Sequence, residues 1–369
     1  MGSVSMTVAV KLSRPAMATY FEVLVVGEDE GYLRSAAEEA LDEVERLEEQ
    51  MSRFLPASEL SGINARAAVG PVRVEPRLFR LLQRAATLSA ETDGAFDITV
   101  APLLERSLGS LNEPNEPNAP NAPNPPERIG MCNVILNERE RTARFARQGV
   151  RLDLGAIGKG YAVERAVAVL REHGITSALI HSGTSTLYAL GAPPGQDGWP
   201  VGIAHPRTTM VDGEWFMVDR QKAADAASSS TINHQSLTIA PGVRRLAALR
   251  LRDQALSTST PFGKCVEAHG QRYGHIFDPR TGQPAQGVWS ASAICPSPTD
   301  ADALSTAFLV LGADDTRRYC EAHSDVTAVL MLEPQDDREP STFIFGMNTD
   351  NLPQVANLRE VSPLDRVTP

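Results

Sequence analysis

Between Leu33 and Met51, apolar residues recur every three or four positions, at Leu33, Ala37, Ala40, Leu41, Val44, Leu47 and Met51, with Glu and Arg between them. That spacing lines the apolar side chains along one stripe of a helix and leaves the charged ones on its outer face. The stretch just before it, ATYFEVLVVG (18–27), is crowded with aromatic and β-branched residues and closed by a glycine, which predicts a strand. A second helix is predicted over 77–91, stopping before TDGAFDIT, where Asp-Gly signals a turn. CNVIL and RTARFA read as strands. A third amphipathic run over 161–173 carries Ala162, Val163, Ala166, Val167 and Leu170 and ends at Gly174. ITSALIHSG and STLYALG predict two strands around a tight turn. RRLAALRLRDQALSTS returns to strand, EAHGQRYGHIFDPRTGQP alternates turns with short strands, and 300–311 is a strong helix stopped by Gly312.

The pattern fails in three places. Residues 112–126, NEPNEPNAPNAPNPP, repeat Asn and Pro every three positions and offer neither regular backbone donors nor apolar area, so a disordered or extended loop is expected. Residues 206–243 lose periodicity and read as an inserted excursion. After Glu333 acidic and Pro-containing segments predominate, and a tail is expected over 346–369.

Composition narrows the classes. A chain of 369 residues, 42% hydrophobic and 22% charged, is that of an ordinary soluble globular protein. Its formal net charge of -11 argues against a surface built on nucleic-acid phosphates and favours a small-molecule or protein partner. Cys132, Cys265, Cys295 and Cys320 lie far apart and show no zinc-site spacing, which suits a reduced compartment. No run reaches the ~18 apolar residues of a membrane helix. MGSVSMTVAVKLSRP has neither the signature of a signal peptide nor that of myristoylation. The expectation is a cytoplasmic protein, or an exported one if a signal segment has been removed.

Three stretches carry candidate chemistry. RLDLGAIGKGYAVE (151–164) has a Gly-rich turn entering a helix, flanked by Asp153 and Lys159. It is too short for a Walker loop, which needs four residues between its first Gly and the Gly-Lys. Its free backbone N–H groups and helix dipole suit a phosphate, whereas the plainer reading is a solvated Lys159 and an Asp153 that caps the turn. In SPTDADALSTAFLVLG, Asp302 and Thr306 are four apart and share a helix face, a hard-oxygen pair that suits magnesium. The alternative is a capping box, with Thr299 as N-cap and Asp302 three residues on. His275, beside the turn of HIFDPRTGQP, has the chemistry of a general base or of an ordinary backbone-bonded histidine.

In this order, AMATYFEV, MSRFLPASELSGIN, TDGAFDITVAPLL, RLDLGAIGKGYAVE, YGHIFDPRTGQP and DADALSTAFLVLG resemble the FAD:protein FMN transferase (ApbE) family. The likeness covers most of 15–330. It implies one α+β domain over 15–345, mixed sheets with packed helices, in two lobes with the active cleft between them. It also implies a reaction in which FMN passes from FAD to a Thr or Ser hydroxyl of an acceptor flavoprotein and AMP leaves. By the resemblance, Asp302, Thr306 and the carbonyl of Ala156 bind Mg2+. Met17, Phe54, Ala95, Phe96, Asp97, Asp153, Lys159 and His275 line the FAD site, and His275 accepts the acceptor hydroxyl's proton. Two stretches depart from the family. Gly183-Thr184-Ser185-Thr186 stands where Gly-Gly-Asp is usual, and Thr258-Ser259-Thr260-Pro261-Phe262 stands where Thr-Ser-Gly-Asp-Tyr is common. A hydroxyl replaces some hydrogen bonds of a carboxylate but not its charge. Two other readings therefore stand beside transfer: FAD pyrophosphatase, giving FMN and AMP, and a flavin-binding protein with impaired transfer.

Overall fold

The computed structural model describes residues 7–105, 125–204, 206, 210–211, 214–215, 245–261, 265–268, 271–274, 276–334, 340–346 and 354–355. Its strands are β1 (Val8–Ala16), β2 (Thr19–Gly27), β3 (Val72–Arg73), β4 (Val134–Asn137), β5 (Thr142–Phe145), β6 (Ala178–Ser182), β7 (Thr186–Leu190), β8 (Trp199–Ala204), β9 (Met210–Val211), β10 (Glu214–Trp215), β11 (Arg245–Leu251), β12 (Gln254–Ser259), β13 (Cys265–Ala268), β14 (Gln271–Gly274), β15 (Val288–Cys295), β16 (Thr327–Leu332), β17 (Thr342–Phe345) and β18 (Gln354–Val355). The helices are α1 (Glu30–Met51), α2 (Glu59–Arg66), α3 (Pro76–Glu91), α4 (Gly158–Glu172) and α5 (Pro298–Ala322), the last broken at Gly312 by a φ of 74° and ψ of -171°.

An eight-stranded sheet in the order β1-β2-β6-β7-β12-β15-β16-β17 forms the centre. Every described strand pair in the protein is antiparallel, and with the helices this makes an α+β fold. Both faces of the large sheet are covered. On one side Phe21, Val23 and Val25 of β2 join Leu41 and Val44 of α1, Leu170 of α4, and Leu304 and Phe308 of α5 in one buried core. On the other, Leu24, Leu179, Leu256 and Val329 pack against Trp199, Val201 and Ile203 of β8 and Leu249 of β11, from the small sheet β18-β11-β8. A sheet buried on two faces needs near-continuous apolar strands, which is why β2 and β15 show little alternation.

The helices are tied laterally by charge as well as by packing. Glu43 on α1, 6% exposed, accepts from Arg46 at 2.7 Å and Arg77 at 3.1 Å and pairs with Arg165 of α4 at 3.5 Å, so one carboxylate links α1, α4 and the start of α3. Midway along α3, Arg84 grips Asp300 of α5 through two bonds of 2.8 and 3.0 Å. Paired this way, a buried carboxylate is tolerated.

Several elements differ from the sequence expectation. Residues 8–16 form β1, an edge strand whose turn into β2 is Met17–Ala18, and α2 follows α1 directly. RRLAALRLRDQALSTS divides at Asp253 (φ 52°) into β11 and β12, which belong to different sheets. Beyond Glu333, β17 completes the large sheet, and two residues of the expected tail, Gln354–Val355, pair with β11. Most of 112–126, most of 206–243 and the final residues lie outside the described residues. No helix among the described residues is long and apolar enough to cross a membrane.

The β1–β2 turn holds two non-glycine residues in the left-handed region, Met17 at φ 50° and Ala18 at φ 59°. Such a residue carries about 1 kcal/mol of steric strain. The main chain there is anchored by Met17 N–H, which donates to Glu48 Oε1 at 2.7 Å. Ala18→Gly is therefore expected to stabilise the protein by about 0.5 kcal/mol, since the strain relieved exceeds the extra chain entropy of glycine. A urea-unfolding midpoint shifted upward at unchanged slope is the expected reading.

Candidate active site

The Gly-rich turn is set by the extended segment before it. Asn64 of α2 clamps Leu152 from both sides: its Nδ2 donates to the Leu152 carbonyl at 2.9 Å and its Oδ1 accepts from Leu152 N–H at 2.7 Å. Asp153 N–H donates to Ile98 O at 2.7 Å. One Asp153 oxygen accepts from Gly155 N–H at 2.7 Å and the other pairs with Arg53, so this aspartate both shapes the turn and neutralises an arginine. The chain then enters α4 without a side-chain cap at Ile157.

The group that meets this helix N-terminus is Asp302. Its Oδ2 accepts from Gly160 N–H at 2.9 Å, and its Oδ1 accepts from Thr186 at 3.0 Å and Ser257 at 3.4 Å. Lys159 Nζ lies 3.7 Å from the same Oδ1 and donates to Gly155 O at 3.1 Å. The carboxylate is only 2% exposed, held by dipole, hydroxyls and ammonium together. Close approach of α4 and α5 makes this possible. A Cβ on Gly160 would lie 2.2 Å from Pro298 O.

The capping box does not form. Ser297 is the N-cap of α5, accepting from Asp300 N–H at 3.1 Å, and Thr299 donates its hydroxyl to Glu164 of α4. Asp302 is thereby released from its own helix end and faces α4. One turn on, Thr306 Oγ1 lies 3.2 Å from Ser259 Oγ and 3.4 Å from Asp302 O. Ser305 links Ser259 at 2.9 Å to Ser257 at 3.2 Å. Both stretches that depart from the family pattern thus converge here, the first through Thr186 on Asp302 and the second through Ser259 on Thr306, with Ser257 just before it also meeting Asp302. Sequence reasoning missed Thr186 and Ser257 as partners of Asp302, because nothing local to a strand residue signals a contact with a distant helix.

The donor set suits a hard divalent cation. It offers one buried carboxylate and a hydroxyl one helical turn away, beside the turn whose Gly155 carbonyl accepts from Lys159, with no thiolate or imidazole among these groups. Ala156 sits in that turn, half-buried against the core.

Phe54 is 75% exposed and carries the Arg53 guanidinium over its ring at 4.3 Å from the centroid, which ties it to Asp153. Arg53, Ser61, Asn64, Ala65, Ala101, Glu105 and Arg151 line an open cavity of about 260 Å³ beside it. Ala95 and Phe96 are buried, each 1% exposed. Asp97, 6% exposed, accepts from Thr99 N–H at 2.7 Å, Thr99 Oγ1 at 2.6 Å and Met131 N–H at 2.9 Å. Burial pushes its carboxyl above the usual range against the pull of those bonds. Met17 occupies the β1–β2 turn beside Glu48. His275 lies outside the described residues, but the turn that follows it packs near TDGAFD: Arg280 Cγ is 3.6 Å from where a Gly94 Cβ would stand.

Burial pushes Cys295 and Cys320 up to about 12, which leaves them protonated and unreactive, and Cys132 is a free exposed thiol.

Residues 17–331 match the ApbE family. A protein of Treponema pallidum (strain Nichols) named FAD:protein FMN transferase is 31% identical over 319 residues, 81% of this chain and 79% of its own length. One of the same name from Vibrio cholerae is 27% identical over 352 residues, 89% of this chain and 88% of its own. Among solved structures, the ApbE protein of Thermotoga maritima superposes with a TM-score of 0.68 at 26% identity, covering 90% of this chain and all of that one. The apo form of the Pseudomonas stutzeri flavinyl transferase ApbE gives a TM-score of 0.72 at 23% identity over 93% of this chain and 96% of its own, which speaks to the fold.

Proposed function

The chain belongs to the ApbE family, and from that premise we propose that it is an FAD:protein FMN transferase that uses magnesium, moves FMN to a Thr or Ser hydroxyl of an acceptor protein and releases AMP. The observation that carries the reading is the buried Asp302 carboxylate, held at the N-terminus of α4 with the Lys159 ammonium 3.7 Å away. A buried carboxylate with a hydroxyl one helical turn away is a hard-oxygen ligand for a divalent cation, and the Lys159 ammonium beside it is a charge suited to a phosphate.

In this reading Asp302, Thr306 and the Ala156 carbonyl hold magnesium, which when bound draws charge from the pyrophosphate of FAD. Lys159 supplies a point charge to the phosphates. Asp153, Phe54, Met17 and the Ala95–Phe96–Asp97 loop hold the rest of the nucleotide. His275 takes the proton of the acceptor hydroxyl as its oxygen bonds to the FMN phosphorus. The bond from that phosphorus to the bridging oxygen breaks, and AMP departs with the electron pair as a phosphate anion. Such a leaving group needs no strong acid from the protein.

The test is purified protein with FAD and magnesium, with and without a candidate acceptor, followed by nucleotide chromatography and acceptor mass. AMP together with an acceptor heavier by one FMN unit is the expected result. AMP with free FMN in the presence of acceptor would make the protein a pyrophosphatase, and tight FAD without AMP would make it a binding protein. Lys159→Met is expected to slow AMP release about 100-fold, the loss typical of removing one electrostatic group aimed at a transition state. The measurement is single-turnover AMP release at saturating FAD, and a rate within a factor of two of the parent would remove Lys159 from the reaction.

A further inference from the structure

Beyond the groups that touch Asp302 directly lies a second tier of contacts. The hairpin turn from β6 to β7 carries Thr186, whose hydroxyl meets both Asp302 Oδ1 at 3.0 Å and Ser257 Oγ at 2.9 Å. The turn is confined on several sides. Gly183 N–H donates to Tyr20 O at 2.7 Å, Ser185 N–H donates to Ser182 O at 3.2 Å, and Ser185 O accepts from Thr258 N–H at 2.9 Å. Gly183 has a φ of 57°, and a Cβ there would fall 2.3 Å from Thr19 Oγ1, so a side chain would both strain the turn and displace the Thr19 hydroxyl.

The remaining anchor is a side chain. His181 Nδ1 lies 3.0 Å from Gly183 O, and its Nε2 lies 3.0 Å from Glu22 Oε1 on the neighbouring strand. Glu22 also pairs with Lys11 at 2.8 Å. Burial works to raise the Glu22 carboxyl, but His181 and Lys11 outweigh it and hold it below the usual range, so it is an ionised acceptor. A ring with a carboxylate at one nitrogen and a carbonyl at the other makes both bonds only when each nitrogen carries a hydrogen. Among the described residues, the charged groups facing the ring are Glu22 on β2 and, behind it, Lys11 on β1. Its cross-strand neighbour on β7 is the apolar Leu187.

We propose that His181 is a positioning residue for the transfer centre: braced by Glu22, it fixes the carbonyl of Gly183 and, through the 183–186 turn, holds Thr186 against Asp302. It touches neither FAD nor the cation. It sets the direction of the one buried carboxylate at the site, as outer partners of a metal ligand do. The inference rests on the reading of Asp302 as a cation ligand.

The test measures Mn2+ binding to the full chain by electron paramagnetic resonance, without FAD, together with magnesium-dependent AMP release and thermal melting. His181→Ala is expected to weaken Mn2+ binding about 10- to 100-fold and to raise the magnesium needed for half-maximal AMP release by a similar factor. His181→Asn, whose amide still donates to the Gly183 carbonyl, is expected to recover part of that loss. Unchanged Mn2+ binding in His181→Ala, even with a lowered melting temperature, would show a purely structural histidine and overturn the proposal. A wild-type protein that binds Mn2+ but releases no AMP would defeat the transferase reading and leave this inference standing. A wild type that binds no Mn2+ would defeat both.

Discussion

Asp302→Ala is expected to lower magnesium-dependent AMP release from FAD by about 1,000-fold, the equivalent of about 4 kcal/mol of transition-state stabilisation. The carboxylate is the one acid among the buried groups that meet at the α4–α5 crossing, and it is 2% exposed. Its removal leaves Gly160 N–H without its acceptor and Lys159 without its counterion. An unpaired buried donor costs about 1–3 kcal/mol, so the alanine variant is also expected to melt earlier. Asp302→Asn separates the two effects. Its amide oxygen still accepts from Gly160 N–H, and the Thr186 hydroxyl, which donates and accepts equally well, turns to take a bond from the new NH2 group. The asparagine protein should therefore fold nearly as the parent does and show the same loss of turnover, since shape is kept and charge is not. A magnesium titration of AMP release checks it. Parental activity in either variant would sink the assignment of Asp302 as a cation ligand.

Gly160→Ala is expected to destabilise the protein by about 3 kcal/mol and to abolish most of the same activity. The obstacle is space. The added Cβ would stand 2.2 Å from the Pro298 carbonyl oxygen and 2.6 Å from Asp302 Cβ, and the first of these is main chain in the opening turn of α5. No rotamer relieves a contact with backbone, so α4 and α5 must separate, and the bond from Gly160 N–H to Asp302 stretches with them. Gly158, two residues earlier, is the control. Its Cβ would meet Leu154 Cβ at 3.8 Å and Met51 Cε at 3.9 Å, ordinary contacts, so Gly158→Ala is expected to be neutral or slightly stabilising. Urea unfolding of the two variants side by side decides it. Equal midpoints would mean that the helix crossing is looser than the geometry requires.

Much of the architecture is legible in the order of residues. The α1 stripe, the break at Gly312 and the strands of the β6–β7 hairpin follow from periodicity and turn chemistry within a few consecutive positions. The elements missed lack such local signals. β1 is polar and apolar by turns at a chain end, where the eye looks for targeting segments, and α2 is only eight residues long. The division of RRLAALRLRDQALSTS into β11 and β12 is invisible because both halves are equally strand-like. What separates them is a turn at Asp253 that sends each half to a different sheet.

The site divides along the same line. By itself the sequence placed Asp302 and Thr306 one helical turn apart, because a helix converts a spacing of four into a shared face whatever surrounds it. It left open whether Asp302 caps its own helix or serves a site. The tertiary structure removed the first alternative, by giving the cap to Ser297 and bringing Gly160, 142 residues away in sequence, within 2.9 Å of the carboxylate. Local spacing encodes direction around a single element. Contact between elements depends on how closely their faces pack, and here that closeness rests on the missing side chain of one glycine.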